Sequence, residues 1–236
     1  LLQNGLNQHQ HHQNNMGAFG GPDIVEDGLI LALDAGSERS YPGSGTAWND
    51  LSGSGNNGVL TNGPVFSSAN GGSFNFDGSD DFVAIGGDLT LQVFSVCLWV
   101  NPGTSQVTYA DIIDNNHTGS RSWVLQQNGN SLNNYYFYAM GTTTSNLYIP
   151  AGIWSQVILT YSSTGNERKI YLNGVDVKTA TAPTITYDGT EYLNLAKWGL
   201  GGRNWNGSMS RVLMYSKALT QAEVTQNYNA QKNRFI

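Results

Sequence analysis

Three aspartates crowd one turn: Asp77, Asp80 and Asp81 in the run Phe76-Asp77-Gly78-Ser79-Asp80-Asp81-Phe82. Such a turn has two physical readings. Aspartate side chains accept hydrogen bonds from the turn's own N–H groups. Alternatively, convergent carboxylates ligate Ca2+, a hard cation that takes about six to eight oxygens. The spacing is not that of an EF-hand loop, and both readings stand. A second group lies in the glycine-rich stretch Trp198-Gly199-Leu200-Gly201-Gly202-Arg203-Asn204-Trp205-Asn206-Gly207. Sugar recognition uses flat aromatic faces beside amide, carboxylate and guanidinium groups, often on loops at one end of a scaffold. Trp198, Arg203, Asn204 and Trp205 are therefore the candidate carbohydrate-binding residues. Trp48, Trp123, Tyr135, Tyr136 and Tyr138 are further aromatics to place, while Trp99 and Trp154 are read as core.

Catalytic patterns are harder to find. Retaining glycoside hydrolysis needs two carboxyl groups about 5–5.5 Å apart, and a regular strand supplies such a pair only from alternate positions. None of Glu26, Glu38, Glu167, Glu191 and Glu223 has a carboxylate partner two to five residues away on a recognisable strand. Asp111 and Asp114 are three apart, which on a regular strand puts them on opposite faces. There is no G-x-S-x-G nucleophile elbow, and His117 in Asn-Asn-His-Thr-Gly reads as a solvated loop residue. His9, His11 and His12 could hold a transition metal, but no Cys or carboxylate stands nearby to complete a site. The expectation is a chain with no catalytic residues.

The elements that must position these groups are strands. Trp154 to Val177 reads as an alternating strand, a polar loop at 162–168, a second strand, and then Asn173-Gly174, where both residues tolerate positive φ. Phe94 to Val100 is apolar on both faces and should lie in a sandwich interior. Phe74 and Phe76 share one face of a strand, and Phe82 anchors the next. Cys97, the only cysteine, reads as a small buried hydrophobe. Near the end, Thr220 and Glu223 form a T-x-x-E capping box that opens a short helix.

Gln, Asn, His and Gly dominate residues 1–22, a stretch that cannot bury enough apolar surface to fold alone. The division expected is a polar N-terminal arm, 1–22, and one domain, 23–236. A net charge of −6 and the absence of any Lys/Arg cluster argue against nucleic-acid binding. No apolar run reaches the length of a membrane-spanning helix. Charged residues make up only 12% of the chain, about half the usual share. Such a surface suits an extracellular, virion-like or self-assembling protein.

Four runs carry a resemblance. They are Asp27-Gly28-Leu29 through Asn56-Asn57-Gly58, Ser73 to Val83, Trp154 to Val177, and Gly201 to Val224 with its R-N-W-N-G-S-M-S-R-V-L-M-Y core. In order and spacing they resemble the concanavalin A-like lectin/glucanase superfamily, and within it the laminin-G-like modules found in structural proteins of bacterial viruses. The resemblance implies an all-β, two-sheet antiparallel jelly-roll sandwich with a short C-terminal helix behind an extended arm. Together with the arm and the low charge it implies a non-enzymatic structural or adhesion protein. The expected setting is a virion: a capsid decoration or a tail or fibre module, anchored through residues 1–22 to further copies of the chain or to other virion proteins, with host glycans as ligand. The alternative is a calcium-dependent carbohydrate-binding module of a secreted or cell-surface protein.

Overall fold

The computed structural model describes residues 23–116, 121–187, 192–199 and 201–236. The arm with His9, His11 and His12, as well as His117 and Glu191, lies outside the described residues. Strands follow one another almost without interruption. They are β1 (Leu29–Asp34), β2 (Ala47–Trp48), β3 (Gly58–Thr61), β4 (Val65–Ser67), β5 (Ser73–Asp77), β6 (Phe82–Ile85), β7 (Val93–Pro102) and β8 (Asp111–Asn116). Then come β9 (Arg121–Gln127), β10 (Asn134–Ala139), β11 (Thr142–Tyr148), β12 (Ser155–Ser162), β13 (Glu167–Leu172), β14 (Val175–Ala180), β15 (Tyr192–Leu195) and β16 (Asn206–Tyr215). Among the described residues there is one α-helix, α1 (Gln221–Gln231), followed by a 3-10 turn at Lys232–Arg234.

The strands form two antiparallel sheets, as a jelly-roll sandwich requires. The first runs β14-β13-β12-β7-β16-β5-β4, with β1 pairing the second half of β16; the second runs β11-β10-β9-β8-β15-β6-β3-β2. The expected hairpin is present: Val157 opposes Leu172 and Tyr161 opposes Arg168. The next turn, Asn173-Gly174 between β13 and β14, has φ of 51° and 82°, the doubly positive pair that matches the twist of the strands.

Two apolar clusters hold the sandwich. Between the sheets lie Phe94, Val96, Leu98, Val157, Leu159, Trp123, Phe137 and Trp205. On the outer face of the first sheet, Cys97, Ile158, Leu213 and Tyr215 meet Val25, Leu219 and Val224. The double-sided hydrophobicity of β7 therefore serves two cores, not one interior. Burial pushes the Cys97 thiol up to about 12, so it stays a thiol and packs as a hydrophobe. Trp99 and Trp154 are buried, but not between the sheets. Phe235 stacks on Trp99 with ring centroids 4.1 Å apart and meets Trp154 in a tilted contact at 5.0 Å. The capping box forms as expected, Thr220 accepting from the Glu223 backbone while Glu223 reaches back. No helix among the described residues is long and apolar enough to cross a membrane.

Candidate functional site

The aspartate turn joins β5 to β6 and sits at one end of the sandwich. Asp77 accepts from the Ser79 N–H at 2.7 Å, and Asp81 accepts from the Asp77 N–H at 3.1 Å. One ligand oxygen from each of Asp77, Asp80 and Asp81 lies within 4.8 Å of the others. The donor set is all oxygen, which suits a hard cation such as Ca2+. The backbone carbonyls are already engaged by three asparagine amides: Asn206 donates to Asp77 O, Asn62 to Asp80 O and Asn204 to Asp81 O, at 3.2, 3.0 and 3.4 Å. Both readings of the turn thus have a footing. The Ser79 backbone N–H holds the Asp77 carboxyl below its usual range. Burial, and then the neighbouring Asp77 and Asp80 charges, push that of Asp81 up, against the pull of the Asp77 backbone N–H.

Asn204 ties this turn to the glycine-rich loop between β15 and β16. The loop is pinched at its base, where Trp205 N–H donates to Ala196 O at 3.0 Å. From there it folds over the outer face of the second sheet. Gly199 N–H donates to an Asp114 carboxylate oxygen at 2.9 Å, Tyr192 hydroxyl donates to Gly199 O at 3.4 Å, and Asp111 N–H donates to Arg203 O at 2.9 Å.

The sequence placed Asp111 and Asp114 on opposite faces. The structure corrects this. The register of β8 against β9 slips between Asp111 and Ile113, so Asp111 opposes Gln126 and Asp114 opposes Val124. A β-bulge adds one residue and resets the alternation. Ile112 and Ile113 both enter the core, and the two carboxylates share the outer face. Each is fully buried. Asp111 accepts from the Gln126 amide, whose carbonyl accepts from the Tyr136 hydroxyl. Asp114 holds the loop through Gly199. Both carboxylates are thus engaged by the fold beneath the loop instead of lining a cleft.

The four candidate sugar residues separate. Trp205 is fully buried, with Nε1 donating to the Tyr135 hydroxyl at 3.4 Å. Gly207 passes so close that a Cβ there would lie 2.5 Å from the Trp205 ring. Asn204 is buried on Asp81. Neither offers a surface to a ligand, because the pinched base of the loop turns both inward. Trp198 and Arg203 stay at the surface, half-buried. The Arg203 guanidinium lies 4.4 Å from the Trp198 ring centroid and 5.3 Å from that of Tyr109. Tyr109, 41% exposed, was not singled out by sequence. Its one local sign is a tyrosine preceding the Ala110-Asp111 strand start. Trp48, Trp123 and Tyr135 are fully buried, whereas Tyr136 and Tyr138 face outward, half-buried, on β10. Phe82 opens β6 as expected but is only half-buried, and Lys197 Nζ sits 3.7 Å above its ring.

The family model Laminin_G_3, described as concanavalin A-like lectin/glucanases superfamily, matches residues 76–225. The chain belongs to this family. No curated relative matches it by sequence. Among solved structures, it is similar to the binding domain of Paraclostridial Mosquitocidal Protein 1, at 15% identity and a TM-score of 0.67, covering 87% of this chain and 52% of that one. It is similar to the binding domain of botulinum neurotoxin DC in complex with SialylT, at 15% identity and TM-score 0.66, with the same coverage. It is also similar to domain 4 of AbnA, a GH43 extracellular arabinanase from Geobacillus stearothermophilus in complex with arabinotriose. Here identity is 16%, TM-score 0.65, and coverage 86% of this chain and 100% of that one. The chain spans about half the length of the two toxin domains. At these identities the likeness establishes the fold.

Proposed function

We propose that this concanavalin A-like module is a non-catalytic recognition domain that binds glycans at the end of the sandwich formed by the aspartate turn and the 196–205 loop. The observation that carries the reading is the surface pairing of Trp198 with Arg203, whose guanidinium lies over one face of the indole so that a ligand would stack on the other, on a loop fixed at its base and at Gly199. Sugars stack their apolar C–H faces on such rings while the polar group reads their hydroxyls. Similar folds described in complex with SialylT and with arabinotriose support it. So does the engagement of Asp111 and Asp114 within the fold, which leaves neither positioned as a nucleophile or acid. Ca2+ at Asp77, Asp80 and Asp81 belongs to the same proposal. Asn204 joins that turn to the base of the loop, so a bound cation would stiffen both.

The test is a glycan array probed with the full chain, with and without calcium. Selective binding that is lost in Trp198→Ala supports the reading. A blank array in both conditions overturns it.

The setting is a second proposal, favoured by the composition of residues 1–22 and the low surface charge. The module is displayed on a virus particle, as a capsid decoration or a tail or fibre element, with the arm holding it to other copies or to other virion proteins. Mass spectrometry of purified particles tests this; particles without the chain contradict it.

A further inference from the structure

The Arg203 guanidinium is held in an unusual way. It lies against two aromatic rings, Trp198 and Tyr109, at 4.4 and 5.3 Å. Among the described residues its side chain has neither an ion-pair partner nor a hydrogen-bond acceptor; the charged contacts there belong to Lys169, Arg211, Lys217 and Arg234. Stacking fixes the plane of a guanidinium and leaves its N–H edge to meet a carboxylate through two parallel bonds. An arginine placed for stability alone would be expected to aim that edge at the protein, as Arg234 does toward Asp34 and the carbonyls of Asn70, Gly71 and Gly72.

A second observation, independent of side chains, marks the same place. Tyr109, Ala196 and Arg203 have φ of 61°, 64° and 55°. Residues with a Cβ other than Asn or Asp rarely adopt this conformation. Three of them converge here: Ala196 and Arg203 bracket one loop, and Tyr109 lies against Arg203. Strain of this kind persists where surrounding structure imposes it, and it concentrates at binding sites.

A third observation is a second cation. Lys197, in the same loop, lies over Phe82 on β6, and among the described residues no carboxylate pairs with it. Phe82 and Tyr109 belong to or border strands on opposite sides of β15, so the two cations lie on either side of it.

We infer that the glycan this site takes is an acidic one, a saccharide bearing a carboxylate, which Arg203 reads edge-on between Trp198 and Tyr109. Lys197 adds a second, less directional attraction. The inference rests on the glycan-binding reading above and narrows it.

The experiment compares acidic and neutral versions of the same sugars at fixed calcium. An array carrying sialosides, oligouronides, their methyl esters and the uncharged parent sugars is probed with the full chain and with Arg203→Asn. Asparagine tolerates the positive φ, so this variant removes the cation without disturbing the loop; an unchanged melting temperature confirms it. The expected result is preference for the acids over their esters by about tenfold or more, abolished in Arg203→Asn. Esters and neutral sugars bound as well as the acids would overturn the inference and leave the glycan reading intact. An array with no bound sugar of either kind would overturn both.

Discussion

Gly199 donates its backbone N–H to the Asp114 carboxylate at 2.9 Å. That bond fastens the tip of the 196–205 loop to a strand residue that alternation had assigned to the other face of the sheet. It also bears on catalysis. A carboxylate that is fully buried and holds a loop is poorly placed to attack an anomeric carbon. The expectation is that the full chain releases no reducing ends from polysaccharides, or aglycone from aryl glycosides, above buffer background. Hydrolysis that disappears in Asp114→Asn would contradict the non-catalytic account.

Trp198 and Trp205 should behave oppositely, although both lie in one glycine-rich run. Trp205 is fully buried, close to Phe76 and Tyr135. Trp205→Ala should cost about 3–5 kcal/mol of stability. Trp198 is half-buried at the surface, and Trp198→Ala should cost less than about 1 kcal/mol while abolishing sugar binding. Chemical denaturation of both variants, together with binding data on Trp198→Ala, checks this.

Burial pushes the Asp81 carboxyl above its ordinary value of 3.8, and the charges of Asp77 and Asp80 add to the effect. The folded state therefore favours the protonated form. The stability this group contributes is complete below its unfolded value and is lost as pH rises through its folded value. At pH 7 in chelator, Asp81→Asn should be neutral, or stabilising by up to about 1 kcal/mol, since the asparagine carbonyl can still accept from Asp77 N–H. Asp77 runs the other way: its depressed value stabilises at neutral pH and fades as pH falls through the folded value. With millimolar calcium the order should reverse, the native chain gaining melting temperature and Asp81→Asn gaining none. Scanning calorimetry on both proteins in EDTA and in calcium measures it. Native melting that ignores calcium sinks the metal reading.

The C-terminal tail closes the outer face of the first sheet. Phe235 stacks on Trp99 and leans on Trp154, while Arg234 binds Asp34 at 2.7 Å and three backbone carbonyls at 2.7–3.0 Å. Phe235→Ala should destabilise by about 2 kcal/mol, less than a fully buried phenylalanine because the ring is half-exposed. Arg234→Lys should fail to restore what Arg234→Ala loses, since one ammonium cannot reach acceptors arranged around a planar fork. Urea midpoints of the three variants are the check.

Much of the fold was legible because strand signals are local. The Asn173-Gly174 turn and the Thr220–Glu223 cap each depend on a few adjacent residues, and each is present in the structure. The site was less legible, because it depends on events that composition does not mark. A bulge in β8 moved Asp114 to the face of Asp111, and no residue in Asp-Ile-Ile-Asp announces it. The Ala196–Trp205 bond turned Asn204 and Trp205 inward while leaving Trp198 and Arg203 outside; all four look equivalent in sequence. Tyr109 lies more than ninety positions from Arg203 and joins it only because β8 and β15 are neighbours in the sheet. The second core was hidden for a similar reason, since nothing in Phe94 to Val100 says which covering element each face will meet.

The most direct test of the glycan site uses the indole signals of the chain's six tryptophans in a proton–nitrogen correlation spectrum, with Trp198→Phe to assign one of them. On titration with the saccharide found by array, the Trp198 indole should shift strongly, along with the amides of Tyr109 and residues 197–203, while the buried Trp48, Trp99, Trp123 and Trp205 signals hold still. Saturable binding that leaves Trp198 unmoved and gathers its shifts on another surface would contradict the site proposed here.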